Sequence, residues 1–158
     1  MYLKLVSTKN PNIKSTIKKA ILNPSIKNNG LWNFNNINKM SYNFFNELPN
    51  KNINEIAFEI SKNFNLTKEI EENKLKDIIN KSFYFPINNK KLSTNLSMCE
   101  LYHGPSKSFK DFGTIFTANL IDEFNDKKKL HIITATTGDT GSAVASAFYK
   151  KKNIKVHI

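Results

Sequence analysis

Apolar residues recur along this chain in two different patterns, and the change between them organises the reading. From Pro11 to Leu22, Ile13, Ile17, Ala20 and Ile21 stand at helical spacing, and Pro24 stops the run. Asn33 to Asn38 reads as loop. Asn54 to Phe64 sets Ile56, Ala57, Ile60 and Phe64 on one helical face. Another helix is predicted from Thr67 to about Phe83, with an apolar stripe of Ile70, Leu75, Ile78 and Ile79. Glu69 and Glu71 fall in its first turn, where the helix dipole favours them, and Pro86 follows. The short apolar start closed by Ser7 and Thr8 has the length of a strand.

Near residue 95 the pattern changes. Met98 to Tyr102 reads as a strand, broken by Gly104-Pro105. Ser108 and Asp111 stand in the S-x-x-D relation of a capping box, opening a helix that carries Phe112, Ile115, Phe116, Leu120 and Phe124. Leu130 to Thr136 is a β-branched run of the kind found in buried parallel strands. Gly138 to Gly141 turns it into a helix bearing Ala143, Val144, Ala147 and Phe148, and Ile154 to Ile158 begins another strand. The alternation predicts an α/β protein, with a mainly helical region over 1–95 and the start of an open, mostly parallel sheet over 96–158. No closing element follows Ile158, so the chain reads as truncated.

Composition narrows the function classes. With 39% hydrophobic residues in 158, a packed core is expected. No apolar run reaches membrane-spanning length. The first ten residues lack the features of a secretory signal, and the single Cys99 fits a reducing cytoplasm. The net charge of +11 points less strongly to nucleic acid than its size suggests. All 24 basic residues are Lys, and Lys cannot make the bidentate contacts of Arg. The chain also holds 24 Asn and 18 Ile. These share A/T-rich codons with Lys, so one mutational bias accounts for all three excesses, and no nucleic-acid partner is expected.

Two segments concentrate unusual residues, both at strand-to-helix turns, where open α/β sheets bind ligands. The first is Glu100-Leu101-Tyr102-His103-Gly104-Pro105-Ser106-Lys107-Ser108-Phe109-Lys110-Asp111-Phe112-Gly113. If Ser108 caps the helix, Lys110 falls in the first turn, where a cation is disfavoured, and Phe109 and Phe112 desolvate it further. Both effects favour a neutral, nucleophilic amine. The second is Thr134-Ala135-Thr136-Thr137-Gly138-Asp139-Thr140-Gly141-Ser142. Its glycines allow close backbone approach, and free N–H groups at the helix start suit an anion. An ordinary helix start capped by Asp139 or Thr140 explains it equally well, and neither a P-loop nor a dinucleotide fingerprint is present. His103 is a candidate base, although a lone histidine is more often structural. His131 and His157 show no metal-ligand spacing, and Cys99 reads as a buried small apolar residue.

The first segment closely resembles the E-L-[FY]-H-G-P-[TS]-x-[AS]-F-K-D-F-G signature of threonine synthases. The second resembles that family's T-A-T-[ST]-G-D-T-G-[SA]-A-V segment. Weaker likeness continues at Tyr2 and Ser7-Thr8, at Gly30-Leu31 and at Phe85-Pro86. Two departures stand out: Lys107 replaces a commonly apolar residue, and a proline usual after Gly30-Leu31 is missing. The family's later S-G-N-F-G-type loop, which cradles the cofactor phosphate, has no counterpart here.

The resemblance implies the tryptophan synthase β-like fold shared with cysteine synthase and threonine dehydratase. It implies pyridoxal 5'-phosphate as cofactor, held covalently by Lys110. It also implies a loop at Thr136, Thr137, Gly138, Asp139, Thr140 and Gly141 that grips the substrate carboxylate and, through Asp139, touches the cofactor. The activity implied is conversion of O-phospho-L-homoserine and water into L-threonine and phosphate, in the cytoplasm. Without the phosphate cradle, the chain by itself is expected to be inactive. The alternatives are a dehydratase-like lyase of the same fold class, an inactive remnant, or a basic binding module.

Overall fold

A computed structural model describes residues 5–26 and 30–158, so Tyr2 lies outside the described residues. The chain divides into two compact units between Ile79 and Asn80. The compositional boundary near residue 95 falls instead within a hairpin of the second unit.

In the first unit, β1 (Leu5–Ser7), β2 (Asn10–Ser15) and β3 (Trp32–Phe34) form an antiparallel sheet in the order β2-β1-β3. The run from Pro11 to Leu22 is therefore not one helix. Ile13 and Ile17 imitate helical spacing, but Lys14 and Ser15 pair with Val6 and Leu5 of the central strand. Only Ile17–Leu22 (α1) is helical. Asn33, expected in a loop, is likewise drawn into β3 by pairing with Val6. All three residues of β1 are buried, as a central strand requires.

Side-chain caps set the helices of this unit. Thr16 Oγ1 accepts the Lys19 N–H at 3.2 Å to start α1. Ser41 caps α2 (Tyr42–Glu47) through the Phe44 N–H. Asn52 and Glu55 form a reciprocal capping box on α3 (Ile53–Asn63). The helix expected from Thr67 is in two pieces, a 3₁₀ turn at Leu66–Lys68 and α4 (Glu72–Ser82). Glu69 thus lies outside α4, and its carboxylate accepts the Ile17 and Lys18 N–H groups at 2.9 and 2.8 Å. It supports a helix dipole as expected, but that of α1. The stripe of Ile70, Leu75, Ile78 and Ile79 is buried as the pattern predicts.

The second unit opens with an antiparallel hairpin of β4 (Asn88–Ser93) and β5 (Leu96–Glu100) around Thr94 and Asn95. The strand expected at Met98 to Tyr102 ends at Glu100 and pairs with β4 rather than joining a parallel sheet. Cys99 on it is exposed, not buried. The parallel pair is β6 (Leu130–Ile133) with β7 (Ile154–His157), joined through α6 (Asp139–Phe148). Against α6 packs α5 (Asp111–Phe124). The apolar residues they bury are Ile115, Ala118, Leu120, Ile121 and Phe124 on α5 and Ala143, Val144 and Phe148 on α6. Phe85 packs on Phe112 with ring centroids 4.7 Å apart, and Phe83 stacks on Phe116 at 5.7 Å.

Candidate active site

The expected capping box does not form. Helix α5 begins at Asp111, so Lys110 is its N-cap, not a first-turn residue, and no side chain caps that end. Ser108 Oγ accepts the Lys110 N–H at 3.3 Å, one residue earlier than a box requires. The Lys110 carbonyl accepts from both the backbone N–H (2.9 Å) and the hydroxyl (3.0 Å) of Thr114. The lysine backbone is thereby held from both sides. A short side chain at position 108 and a hydroxyl one helical turn beyond Lys110 make this possible.

From that anchor the Lys110 amine reaches the Phe109 ring, 4.6 Å from its centroid, and comes within 3.8 Å of Asp139 Oδ2. These are neighbours of a cation, a ring face and a carboxylate. They differ from the purely desolvating surroundings expected, because the tertiary fold brings Asp139 across from α6. The lysine side chain stays partly exposed, at 31%.

Lys110 lines an open, largely apolar cavity of about 650 Å³. One face of α5 supplies Gly113, Thr114, Thr117 and Ile121. Phe109 and Phe112 flank the lysine, and Thr140, Val144 and Phe148 of α6 line the cavity as well. The two segments singled out in the sequence are thus brought together at Lys110, Asp139 and Thr140. Thr136, Thr137, Gly138 and Gly141 do not line this cavity; they build the turn that starts α6. Thr136 Oγ1 accepts the Gly138 N–H at 3.2 Å. A β-carbon on Gly141 would stand 2.7 Å from Thr136 Cγ2, so a side chain there would force the Thr136 methyl to move. Neither Asp139 nor Thr140 caps α6: its N-cap is Gly138, without a side-chain bond. Of the amides that open α6, that of Gly141 donates to the Gly138 carbonyl at 2.9 Å; those of Asp139 and Thr140 stand ahead of the first intrahelical bond.

Thr114 and Thr117 line the cavity although the sequence reading did not single them out. Their signal is legible: Lys110, Thr114, Thr117 and Ile121 recur at steps of four, three and four.

A second, smaller cavity of about 350 Å³ joins Tyr102, Lys107, Ser108, Phe109 and Asp139. Next to Tyr102 in sequence, His103 Nε2 lies 2.9 Å from Glu100 Oε2 and 3.1 Å from Asn88 Nδ2. His103 therefore ties the loop to the hairpin. Hydrogen bonds from His103 and then Tyr102 hold the Glu100 carboxyl below its ordinary value, and the same carboxylate pushes Tyr102 upward. His131 Nδ1 and His157 Nε2 are 2.8 Å apart across the parallel strands. Among the described residues no group of three or more His, Cys, Asp or Glu is placed to hold a metal ion.

Residues 4–83, half of the chain, match the family model for the threonine synthase N terminus. The chain belongs to the threonine synthase family. The threonine synthase of Escherichia coli (strain K12) is 32% identical over 156 residues, which is 99% of this chain and 36% of that protein. The crystal structure of the Escherichia coli threonine synthase matches with a TM-score of 0.91 at 32% identity, over 97% of this chain and 36% of that one. The PLP-bound threonine synthase from Brucella melitensis, at 24% identity, matches with a TM-score of 0.88 over 98% of this chain and 34% of that one, and shows the shared fold. The chain spans about a third of the length of these threonine synthases. No helix among the described residues is long and apolar enough to cross a membrane.

Proposed function

We propose that this chain is the lysine-bearing part of a threonine synthase, which turns O-phospho-L-homoserine and water into L-threonine and phosphate. In this reading residues 96–158 begin the cofactor-binding α/β domain, and the enzyme works in the cytoplasm. The observation that carries the reading is Lys110 lining an apolar cavity, with Asp139 3.8 Å from its amine and Thr140 of α6 lining the same cavity. Membership of the family supports it as well.

The residues present fit pyridoxal phosphate. A primary amine faces open space beside aromatic rings, and at Gly113 a β-carbon would meet nothing within 4 Å, which leaves room for a flat ring. When bound, pyridoxal phosphate supplies an electron sink for carbanions at the substrate carbons. Lys110 would hold it covalently. Once freed, the Lys110 amine takes a proton from one substrate carbon and returns it at another, with Asp139 beside it to stabilise the ammonium in between. The amides opening α6, together with Thr136, Thr137, Gly138, Thr140 and Gly141, are the group assigned to the substrate carboxylate, an anion at a helix N-terminus.

Borohydride reduction of the chain mixed with pyridoxal phosphate tests the assignment. The expected result is a pyridoxyl label mapped to Lys110 and lost in Lys110→Ala, which keeps a normal far-UV spectrum. A label spread evenly over the other lysines would overturn it.

A further inference from the structure

Asp111, the residue after Lys110, is fully buried. Its Oδ2 accepts the Ser106 N–H at 2.9 Å, and its own N–H donates to the Ser108 carbonyl at 3.1 Å. Gly104 lies against the carboxylate so closely that any side chain there would collide with it. The other oxygen, Oδ1, is buried with no hydrogen-bond partner among the described residues. The loop between these contacts is strained, since Lys107 holds φ at 59°, a conformation that residues other than glycine seldom adopt. Strain of this kind persists only where the surroundings over-determine the backbone.

A side chain kept for stability alone would not have these properties. A buried acceptor without a partner has lost its hydration for nothing in return, and an apolar residue of the same shape would pack at lower cost. What the carboxylate does achieve is local and directional. It ties the amide of Ser106 to the first residue of α5, and everything between, including Lys110, is suspended from those two points.

We propose that Asp111 is the positioning residue for Lys110, its buried carboxylate fixing the loop from which the lysine leaves the chain and so the place of the amine between Phe109 and Asp139. The functional meaning rests on the reading of Lys110 as the cofactor-bearing lysine; the geometry does not.

The test compares the wild-type chain with Asp111→Asn, which keeps an oxygen acceptor of the same shape, and Asp111→Leu, which keeps only the shape. Two NMR readouts are followed below the melting temperature: hydrogen exchange of the Ser106 amide, and the upfield shift that the Phe109 ring imposes on the terminal methylene of Lys110, assigned with Lys110→Met. In Asp111→Leu, Ser106 exchange should accelerate about tenfold or more, as expected for loss of a charge-assisted bond, and the Lys110 shift should vanish. Asp111→Asn should retain both signatures. A Lys110 shift that survives in the folded Leu variant overturns the proposal, because the residue is then merely structural. Should that variant fail to fold, rapid Ser106 exchange in the folded wild type, or loss of the Lys110 shift in Asp111→Asn, overturns it equally.

Borohydride trapping with pyridoxal phosphate separates this proposal from the functional reading. The label should stay on Lys110 in the Asn variant and fall about tenfold in the Leu variant. A wild-type chain labelled indiscriminately would remove the functional reading, and the NMR signatures would still decide the role of Asp111.

Discussion

Gly104 and Asp111 are in contact through a face that only glycine can present: a β-carbon on Gly104 would run into Asp111 Oδ2 and stand 2.8 Å from the Asp111 β-carbon. Asp111 cannot retreat, since it is buried and opens α5. Gly104→Ala should therefore destabilise the chain by about 1–3 kcal/mol, the usual cost of overpacking. Denaturant unfolding of the two proteins side by side measures it, and equal stability would mean that the contact is softer than it looks.

Gly113 presents the opposite case. It lies inside α5 and lines the larger cavity, with nothing within 4 Å of where its β-carbon would be. Alanine there gains helix propensity, up to about 1 kcal/mol over glycine. The expected outcome of Gly113→Ala is a higher melting temperature together with weaker capture of pyridoxal phosphate at Lys110, because the new methyl group occupies the cavity. A lower melting temperature would contradict the open environment.

Glu69 joins two segments of the first unit that are far apart in sequence. Its carboxylate takes the two N–H groups that open α1. Glu69→Ala should cost about 1–2 kcal/mol, the range for loss of a helix cap, and α1 should lose amide protection first. Hydrogen exchange at Ile17 and Lys18 checks this directly.

Glu100 supplies a pH dependence whose sign is defined. Hydrogen bonds from His103 and Tyr102 hold its carboxyl below the ordinary value of 4.5. A depressed carboxylate contributes stability that is present above that ordinary value and is lost as pH falls through the folded one. Carbon NMR of the Glu100 carboxyl should show a midpoint below 4.5, rising toward it in His103→Ala. A midpoint at or above 4.5 in the wild type would show that the His103 bond does not persist in solution.

Both candidate segments are legible in the residues alone, for different reasons. Lys110 stands out as a lysine between aromatic residues at a helix start, and the turn at Gly138 to Gly141 as a strand-to-helix junction rich in glycine and hydroxyls. The buried stripe Ile70, Leu75, Ile78 and Ile79 follows from spacing, because a helix period survives wherever one face is buried. The failures cluster where pairing between distant segments competes with local pattern. Ile13 and Ile17 stand at helical spacing, and Lys14 and Ser15 between them are nevertheless strand, since they pair with Val6 and Leu5. Cys99, expected inside, is exposed, because among the described residues its strand pairs only with the Lys- and Asn-rich β4 in a hairpin.

The sequence by itself determined which residues are candidates for the chemistry and which periods the core helices follow, since both depend on residue type and spacing along the chain. Only the tertiary structure decided what surrounds Lys110. Asp139 comes to 3.8 Å of its amine across 29 residues of chain, and the Asp111 carboxylate turns back to Ser106 rather than completing a cap with Ser108. A side chain's partners depend on how whole elements pack and on which backbone groups remain unpaired, and neither is a property of local pattern.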